Sequence, residues 1–461
     1  MTRVSVIVPV YNVQDYLGEC MESILGQTMR EIEVICVNDG STDRSPEILR
    51  QYAERDSRVR IIDKENTGYG DSMNRGLSLA AGEYVGIVEP DDCVEPSMFG
   101  ELYRRAEEDC LDWVKGDFRV FVGDREGPHR FLVESFRPDK KGLYNRVLDP
   151  MDHPELVETD NYHWRGIYRK GFLEGCGIRF NDTPGAAYQD NGFKYQTICL
   201  AGRVMYVDKA YYWYRRDNLA ASSYNPRGLE MMYGEYAFIR AFLAARPRQE
   251  EIFLKWYYIK FYTQFHDQLE KVLDTEWEDP RARETLQLYR EAFRPGFERG
   301  FYRDYGEWEW VYRDVALLLR YPRTFFETKK MERELRDEKY RHWLDHVRDR
   351  ELVIVCCGKK ARQVASFLEI NHVSGVAAVC DNSPGLAGTE FYGHTVVSPG
   401  QAVERVPGGY FLIARAGQNR EIVEQLVRLG VAEDCIESVT VPLDDYTSLT
   451  CRMAGRGTGD G

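Results

Sequence analysis

No run of about 18 apolar residues occurs anywhere in the 461-residue chain, so nothing in it reads as a membrane-spanning helix. The amino terminus opens on Val4-Ser5-Val6-Ile7-Val8, without the basic start and apolar stretch of a signal peptide. Eleven cysteines are present, but no two have the C-x-x-C spacing of a zinc or redox site. They are expected to be reduced, with Cys36, Cys356 and Cys357 packing inside strands of a cytoplasmic protein. An excess of positive charge is lacking as well: 61 Lys plus Arg stand against 75 Asp plus Glu, a net charge of −14. Such a surface repels polyanions, which excludes nucleic acid as the main partner. Tandem repeats are absent, and the only low-complexity stretch is the glycine-rich end, expected to form a flexible tail over 446–461.

What is present is globular. A composition 43% hydrophobic and 30% charged over this length predicts about two to four domains, each able to bury a core without disulfides. The first hundred residues alternate β-branched runs with helical patterns, the mark of a parallel sheet wrapped by helices. The pattern predicts strands at 4–8, 33–37, 59–62 and 84–88. Helices are predicted near 14–28, from Ser45 as cap with Pro46 in its first turn, and over 70–81 up to Gly82. From 111 to 225 the pattern loosens, with strands at 112–115 and 203–207 and a helix starting near Gln189-Asp190. Residues 226–350 read as helical and end in a charged linker. Within them, Trp308, Trp310, Tyr312, Phe325 and Phe326 lie among arginines and leave peripheral attachment at the inner face of a membrane open. An aromatic helical core is preferred, because acidic residues interrupt the patch.

The strand Leu352-Val353-Ile354-Val355 opens a small Rossmann-like α/β domain over 351–445. Its first turn, Cys357-Gly358-Lys359-Lys360-Ala361, lacks the G-x-G-x-x-G pattern of dinucleotide sites. Asp381 does lie 23 residues after Gly358, yet assembly, docking or acceptor recognition is preferred there over cofactor binding.

In open α/β sheets the ligand lies beyond the carboxyl ends of the strands. Three polar clusters occupy such ends: Pro9-Val10-Tyr11-Asn12, Asn38-Asp39-Gly40-Ser41 and Glu89-Pro90-Asp91-Asp92. Glu89, Asp91 and Asp92 are hard oxygen donors crowded at the end of a buried strand, where a magnesium or manganese ion would offset their mutual repulsion. Tyr11 can stack on a flat base, or be a buried aromatic; Asp39 can accept from a base imide, or cap a helix.

The order of these motifs, with Asn66-Thr67-Gly68 and Gly82-Glu83-Tyr84-Val85-Gly86-Ile87-Val88 between them, closely resembles glycosyltransferase family 2, the inverting enzymes of GT-A fold. The resemblance covers about residues 3 to 225 and implies a GT-A catalytic domain over 1–225. It places Pro9, Tyr11, Asn12, Asp39 and Asn74 on the nucleotide of a nucleotide-sugar donor, expected to be a UDP-sugar, with Asp91 as principal ligand of Mn2+ or Mg2+, supported by Glu89 and Asp92. The family's catalytic base sits at the start of a later helix, and Tyr188-Gln189-Asp190-Asn191 looks like that position, which makes Asp190 the base. Trp164 and the segment Trp213-Tyr214-Arg215-Arg216 resemble a bacterial subset. Arg215, Arg216 and Trp164 are therefore candidates to touch the diphosphate or the acceptor, with surface ion pairing as the alternative for the arginines.

Two departures stand out. Ser72-Met73-Asn74 replaces the family's Ala-Arg-Asn, so a diphosphate-contacting arginine is missing, and Glu89 replaces the usual aspartate. The expected activity is transfer of a sugar to a glycan or lipid-linked acceptor in bacterial surface polysaccharide synthesis. Two other readings are a sugar nucleotidyltransferase, whose glycine-rich first loop is absent, and a catalytically silent scaffold, which the presence of Asp91 and Asp190 disfavours.

Overall fold

The computed structural model describes residues 2–121, 142–160, 162–216, 218, 220–222, 225–303, 309–371, 373–391, 393–415 and 417–439; Trp308 and the tail expected at 446–461 lie outside them. The chain divides into two compact units, residues 1–119 with 135–330, and residues 120–134 with 331–461.

The first unit begins with β1 (Val4–Val10), α1 (Gln14–Leu25), β2 (Ile32–Asp39), α2 (Ser45–Arg55), β3 (Val59–Lys64), α3 (Tyr69–Leu79) and β4 (Tyr84–Ile87). It continues with β5 (Cys93–Val94), α4 (Met98–Glu108), β6 (Trp113–Phe121), α5 (Leu156–Thr159), β7 (Gly166–Arg169), α6 (Lys170–Gly175), α7 (Gln189–Leu200) and β8 (Val204–Arg215). These strands form one sheet in the order β3-β2-β1-β4-β7-β6-β8-β5. Strands β3, β2, β1 and β4 run parallel, whereas β7 joins β4 antiparallel. All seven residues of β1 are buried, as a strand covered on both faces requires. The strand order reverses direction at β1, because β2 and β3 lie to one side and β4 to the other. A crevice therefore opens beyond the carboxyl ends of β1 and β4, where Tyr11 and Glu89 follow.

Local chemistry differs from the expected pattern at two helix ends. Ser45 does not cap α2: the Asp43 carboxylate accepts the Ser45 N–H at 2.9 Å, and the Ser45 hydroxyl turns to accept the Val13 N–H at 3.1 Å. Helix α3 stops at Leu79 rather than at Gly82. Gly82 serves a different need, since a Cβ there would lie 2.7 Å from the Ser5 nitrogen in β1.

Helices α8 (Gly228–Ala244), α9 (Pro247–Gln268), α10 (Glu270–Leu273), α11 (Pro280–Glu298) and α12 (Glu309–Arg320) follow, and α13 (Pro322–Val347) runs on past the unit boundary. Their core is aromatic: Tyr236 stacks on Phe261 at 4.1 Å and Phe265 on Tyr289 at 4.3 Å. Phe325 and Phe326 are buried and Tyr312 stacks on Phe297, as an aromatic helical core demands. Among the described residues no helix is long and apolar enough to cross a membrane.

The second unit holds β9 (Leu352–Val355), α14 (Lys359–Ile370), β10 (Val376–Cys380), the antiparallel ribbon of β11 (Glu390–Phe391) and β12 (His394–Thr395), α15 (Pro399–Arg405), β13 (Tyr410–Ile413), α16 (Arg420–Arg428) and β14 (Ile436–Ser438). Its four-stranded parallel sheet has the order β10-β9-β13-β14, and Val353, Val355, Phe411, Ile413 and Leu426 pack its core. The Asp381 carboxylate accepts the N–H groups of Cys357 at 2.8 Å and Ser383 at 2.7 Å. It thus joins the ends of β9 and β10, which is a structural use for the residue that a cofactor would have needed.

Candidate active site

Two loops meet beyond the carboxyl ends of β1 and β2. Asn12 adopts a left-handed φ of 50°, its N–H donates to Ser41 Oγ at 3.1 Å, and its Oδ1 accepts the Thr42 N–H at 2.8 Å. The Gln14 N–H donates to Asp43, so amides at the start of α1 find acceptors in the loop after β2. Asn12 is thereby a clasp between the loops. Pro9 is buried in register with Val37. Tyr11 stands apart at 48% exposed, which removes the reading of a buried aromatic and leaves a ring face open at the strand end.

Asp39 and Asn74 are engaged within the protein. Asp39 accepts the N–H groups of Thr67 at 2.9 Å and Gly68 at 3.0 Å and pairs with Lys64. Lys64 also reaches Asp71 at 3.1 Å. A base seeking Asp39 would meet a carboxylate already holding the loop before α3. Asn74 exchanges both ends of its amide with the Phe180 backbone at 3.0 Å; the structure makes it a clip between α3 and residue 180 rather than a group offered to a nucleotide.

The acidic turn is held from β8. The Tyr212 hydroxyl accepts the Glu89 N–H at 3.0 Å and donates to Asp92 Oδ2 at 2.8 Å, while the Arg215 N–H donates to Asp92 Oδ1 at 2.7 Å. Asp92 is fully buried, and burial raises its pKa well above the usual carboxylate range. With both oxygens so engaged, Asp92 supports the turn and is not presented as a direct metal ligand. Trp164, itself buried, stacks on Tyr212 at 4.0 Å and so backs the residue that holds the turn. Arg215 Nε donates to the Asp91 carbonyl at 2.9 Å, its guanidinium pairs with Glu19, and it lies 4.8 Å from the Tyr16 ring centre. Arg216 donates to the Tyr214 hydroxyl. Neither the surface pairing nor the diphosphate contact considered for Arg215 describes this buried brace.

Glu89 sits in a hydrogen-bonded triad that sequence reading missed. Tyr69 at the start of α3 donates to Glu89 Oε1 at 2.7 Å, and His163 Nε2 lies 2.9 Å from the same hydroxyl. His163 Nδ1 is buried with no hydrogen-bond partner among the described residues, which favours the Nε2–H tautomer donating to Tyr69. Burial, helped by the charges of Asp91 and Asp190 and opposed by the Tyr69 hydrogen bond, pushes Glu89 up to about 8. Asp91, partly buried, accepts from Asn218 Nδ2 at 2.8 Å. Among the described residues no group of three acidic, histidine or cysteine side chains could hold a metal. The donor set fits an ion bound through one carboxylate and completed by substrate phosphates and water, the usual habit of magnesium.

Asp190 lies in the first turn of α7, after Tyr188, whose φ of 68° is left-handed. Such a conformation in a bulky residue stores strain and often marks a functional site. Gln189 ties this start down: its Oε1 accepts the Ala187 N–H at 2.8 Å and its Nε2 donates to Thr183 Oγ1 at 3.2 Å and to the Gly185 carbonyl at 3.3 Å. The Gly185 carbonyl also accepts the Tyr69 N–H at 2.9 Å. Gly68, at φ 106°, and Gly70 are required here, because a Cβ on either would collide with backbone of residues 181–185. Contacts thus run from the start of α7 through this loop to Tyr69 and on to Glu89. Burial raises the Asp190 pKa, opposed by the charges of Lys194 and Lys260 and by N–H groups of its own first turn.

A family model described as Glycosyl transferase family 2 matches residues 5–159. The chain is 34% identical over 235 residues to the uncharacterized glycosyltransferase EpsJ of Bacillus subtilis (strain 168), a match covering 50% of this chain and 67% of that protein. The chain belongs to glycosyltransferase family 2. It is also 32% identical over 161 residues to a poly(ribitol-phosphate) beta-glucosyltransferase of Bacillus spizizenii, across 34% of this chain and 25% of that protein. The crystal structure of S. aureus TarS 1-349 in complex with UDP-GlcNAc aligns with a TM-score of 0.50 at 19% identity, over 74% of this chain and 92% of that one. The family 2 enzyme thus has the GT-A fold in its first unit, followed by helices and a small parallel α/β unit.

Proposed function

We propose that this family 2 enzyme is an inverting transferase that moves a sugar from a UDP-sugar to a glycan or lipid-linked acceptor in bacterial surface polysaccharide synthesis. One observation carries the reading: the Gln189, Gly185 and Tyr69 contacts fasten the helix bearing Asp190 to the acidic turn, so a base and a diphosphate site share one crevice. Tyr11 stacks on the base of the donor. Asp91 would hold Mn2+ or Mg2+, which supplies charge neutralisation for the leaving diphosphate, a need sharpened by Met73 standing where an arginine is usual. Asp190 accepts the proton of the acceptor hydroxyl as it attacks the anomeric carbon from the face opposite the diphosphate. The relative named for poly(ribitol-phosphate) and the TarS complex with UDP-GlcNAc support a polymer acceptor and a UDP donor. Residues 1–225 serve as the catalytic domain, and 351–445 as an accessory one, at the inner face of the membrane or in the cytoplasm.

A thermal-shift panel of nucleoside diphosphates and nucleotide-sugars, with and without manganese, tests this directly, since a ligand of the native state raises its melting temperature. UDP-sugars with manganese should give the largest shift, and Asp91→Ala should abolish the manganese contribution. A panel flat for every nucleotide would overturn the reading.

A further inference from the structure

Helix α8 lies outside the residues matched by the family model, yet one of its side chains reaches the start of α7. Glu235 is 2% exposed. Its Oε1 accepts the Gly192 N–H at 2.9 Å, and its Oε2 accepts from Asn181 Nδ2 at 2.8 Å. Gly192 is the fourth residue of α7, whose amide ordinarily bonds the carbonyl of the residue before the helix; here the Tyr188 carbonyl accepts the Asn191 N–H at 3.0 Å and the Gly192 N–H goes to Glu235. The residue before α7, Tyr188, makes no side-chain capping bond; α8 supplies the cap from outside. A carboxylate also suits the positive end of the helix dipole. The glycine is part of the device: a Cβ at 192 would collide with Glu235 Oε1 and approach the Phe238 ring to 2.8 Å. Through Asn181, whose backbone passes against Gly70, the same carboxylate reaches the loop that fastens α3.

We propose that Glu235 is a positioning residue for sugar transfer, fixing Asp190 by capping α7 from α8 and setting the basicity of that carboxylate through its charge. This rests on the reading of Asp190 as the base. The groups that bear on Asp190 are the cations Lys194 of α7 and Lys260 of α9, the acids Glu235 of α8 and Glu89 of the turn, and the hydroxyls of Tyr69, Tyr162, Tyr188 and Tyr236. Burial, with the Asp190 charge adding to it and Asn181 opposing it, pushes Glu235 up to about 7. Above that pH its negative charge repels the charge on Asp190 and makes Asp190 hold a proton more tightly, which is to say a stronger base.

The test uses the full chain and UDP release from a UDP-sugar with manganese and water as acceptor, followed from pH 5.5 to 9. UDP binding, read by thermal shift, accompanies each variant. Glu235→Gln keeps an acceptor for Gly192, and an Asn181 amide flip restores the second bond. The variant should bind UDP as the wild type does, while the acidic limb of kcat moves to lower pH and the plateau falls about tenfold. Glu235→Ala, which leaves the Gly192 amide without its acceptor, should fall further. A Glu235→Gln enzyme with the wild-type profile and plateau, beside an inactive Asp190→Asn, would reduce Glu235 to a structural cap and overturn the proposal. Full activity in Asp190→Asn would instead remove the base assignment on which it rests. If Glu235→Ala does not fold, the Gln profile decides alone.

Discussion

The acidic turn and the start of α7 both bring carboxylates to one crevice, but the fold holds them in different ways. In the turn, Asp92 is locked by Tyr212 and Arg215, Glu89 by Tyr69, and Asp91 accepts from Asn218. At α7, by contrast, the fastening acts on the neighbours of Asp190: Gln189 is anchored to the 183–187 loop and Gly192 is capped by Glu235. The carboxylate itself feels mainly burial, opposed by the charge of Lys194, by N–H groups of its own first turn and by the charge of Lys260. A group bonded on both oxygens is suited to shaping a loop, and one held through its backbone is suited to exchanging a proton. Under the proposed mechanism the difference separates scaffold from chemistry among acids that look alike in sequence.

The sharpest way to break that contrast is to neutralise Asp190. Asp190→Asn is expected to lower transfer by about a hundred- to ten-thousand-fold, the usual range for a lost general base, while melting temperature and UDP binding stay near wild type. The matching experiment on the turn is Asp92→Ala, which orphans the buried Tyr212 hydroxyl and Arg215 N–H at about 1–3 kcal/mol each. Its melting temperature should fall by several degrees before activity is even assayed. If Asp190→Asn were the unstable variant and Asp92→Ala the stable one, the division into scaffold and chemistry would be reversed.

A smaller effect concerns the triad beside the turn. Burial pushes His163 down from 6.5 to about 3, so between these values the unfolded chain binds a proton that the fold refuses. The stability due to neutral His163 is complete above about pH 6.5 and is lost as pH falls toward 3. At pH 5 the loss is on the order of 2 kcal/mol. His163→Gln keeps a partner for Tyr69 but cannot titrate. It should therefore be less stable than wild type at pH 7.5, through poorer packing on Phe180 and Phe193, and the gap should narrow by pH 5. A gap that stays constant in chemical denaturation across this range would mean that His163 takes up its proton as readily in the native state as in the unfolded chain.

The parallel half of the sheet was legible in the sequence because its signals are local. Alternating β-branched runs and 3.6-residue periodicity placed β1 to β4 and α1 to α3 within a few residues, and the polar clusters after β1, β2 and β4 pointed to one end of the sheet. The supports of those clusters were not legible, because they come from far along the chain: Tyr212 and Arg215 act on Asp92 across 120 and 123 residues, and His163 on Tyr69 across 94. The resemblance to a bacterial subset makes Arg215 a candidate for the diphosphate or the acceptor, with surface ion pairing as the alternative, whereas it folds back on the Asp91 carbonyl and Glu19. Tyr69 could have been found, since it follows Asn66-Thr67-Gly68 directly. Glu235 could not, because an isolated acid on a helix otherwise rich in apolar residues carries no mark of what it caps.

The mildest prediction concerns the residue that the fold uses least. Tyr11 is half exposed, so Tyr11→Ala removes little packing, and its melting temperature in the absence of ligand should match that of the wild type. Stacking of an aromatic ring on a flat partner contributes about 0.5–1.5 kcal/mol beyond burial, which corresponds to roughly a two- to twelvefold weakening of UDP binding. Calorimetric titration with UDP at fixed manganese measures that loss, and Tyr11→Phe should restore most of it, because the ring rather than the hydroxyl makes the contact. An unchanged affinity in Tyr11→Ala would move the base away from the end of β1. Asp39 would not take its place, since Lys64, Thr67 and Gly68 already engage that carboxylate.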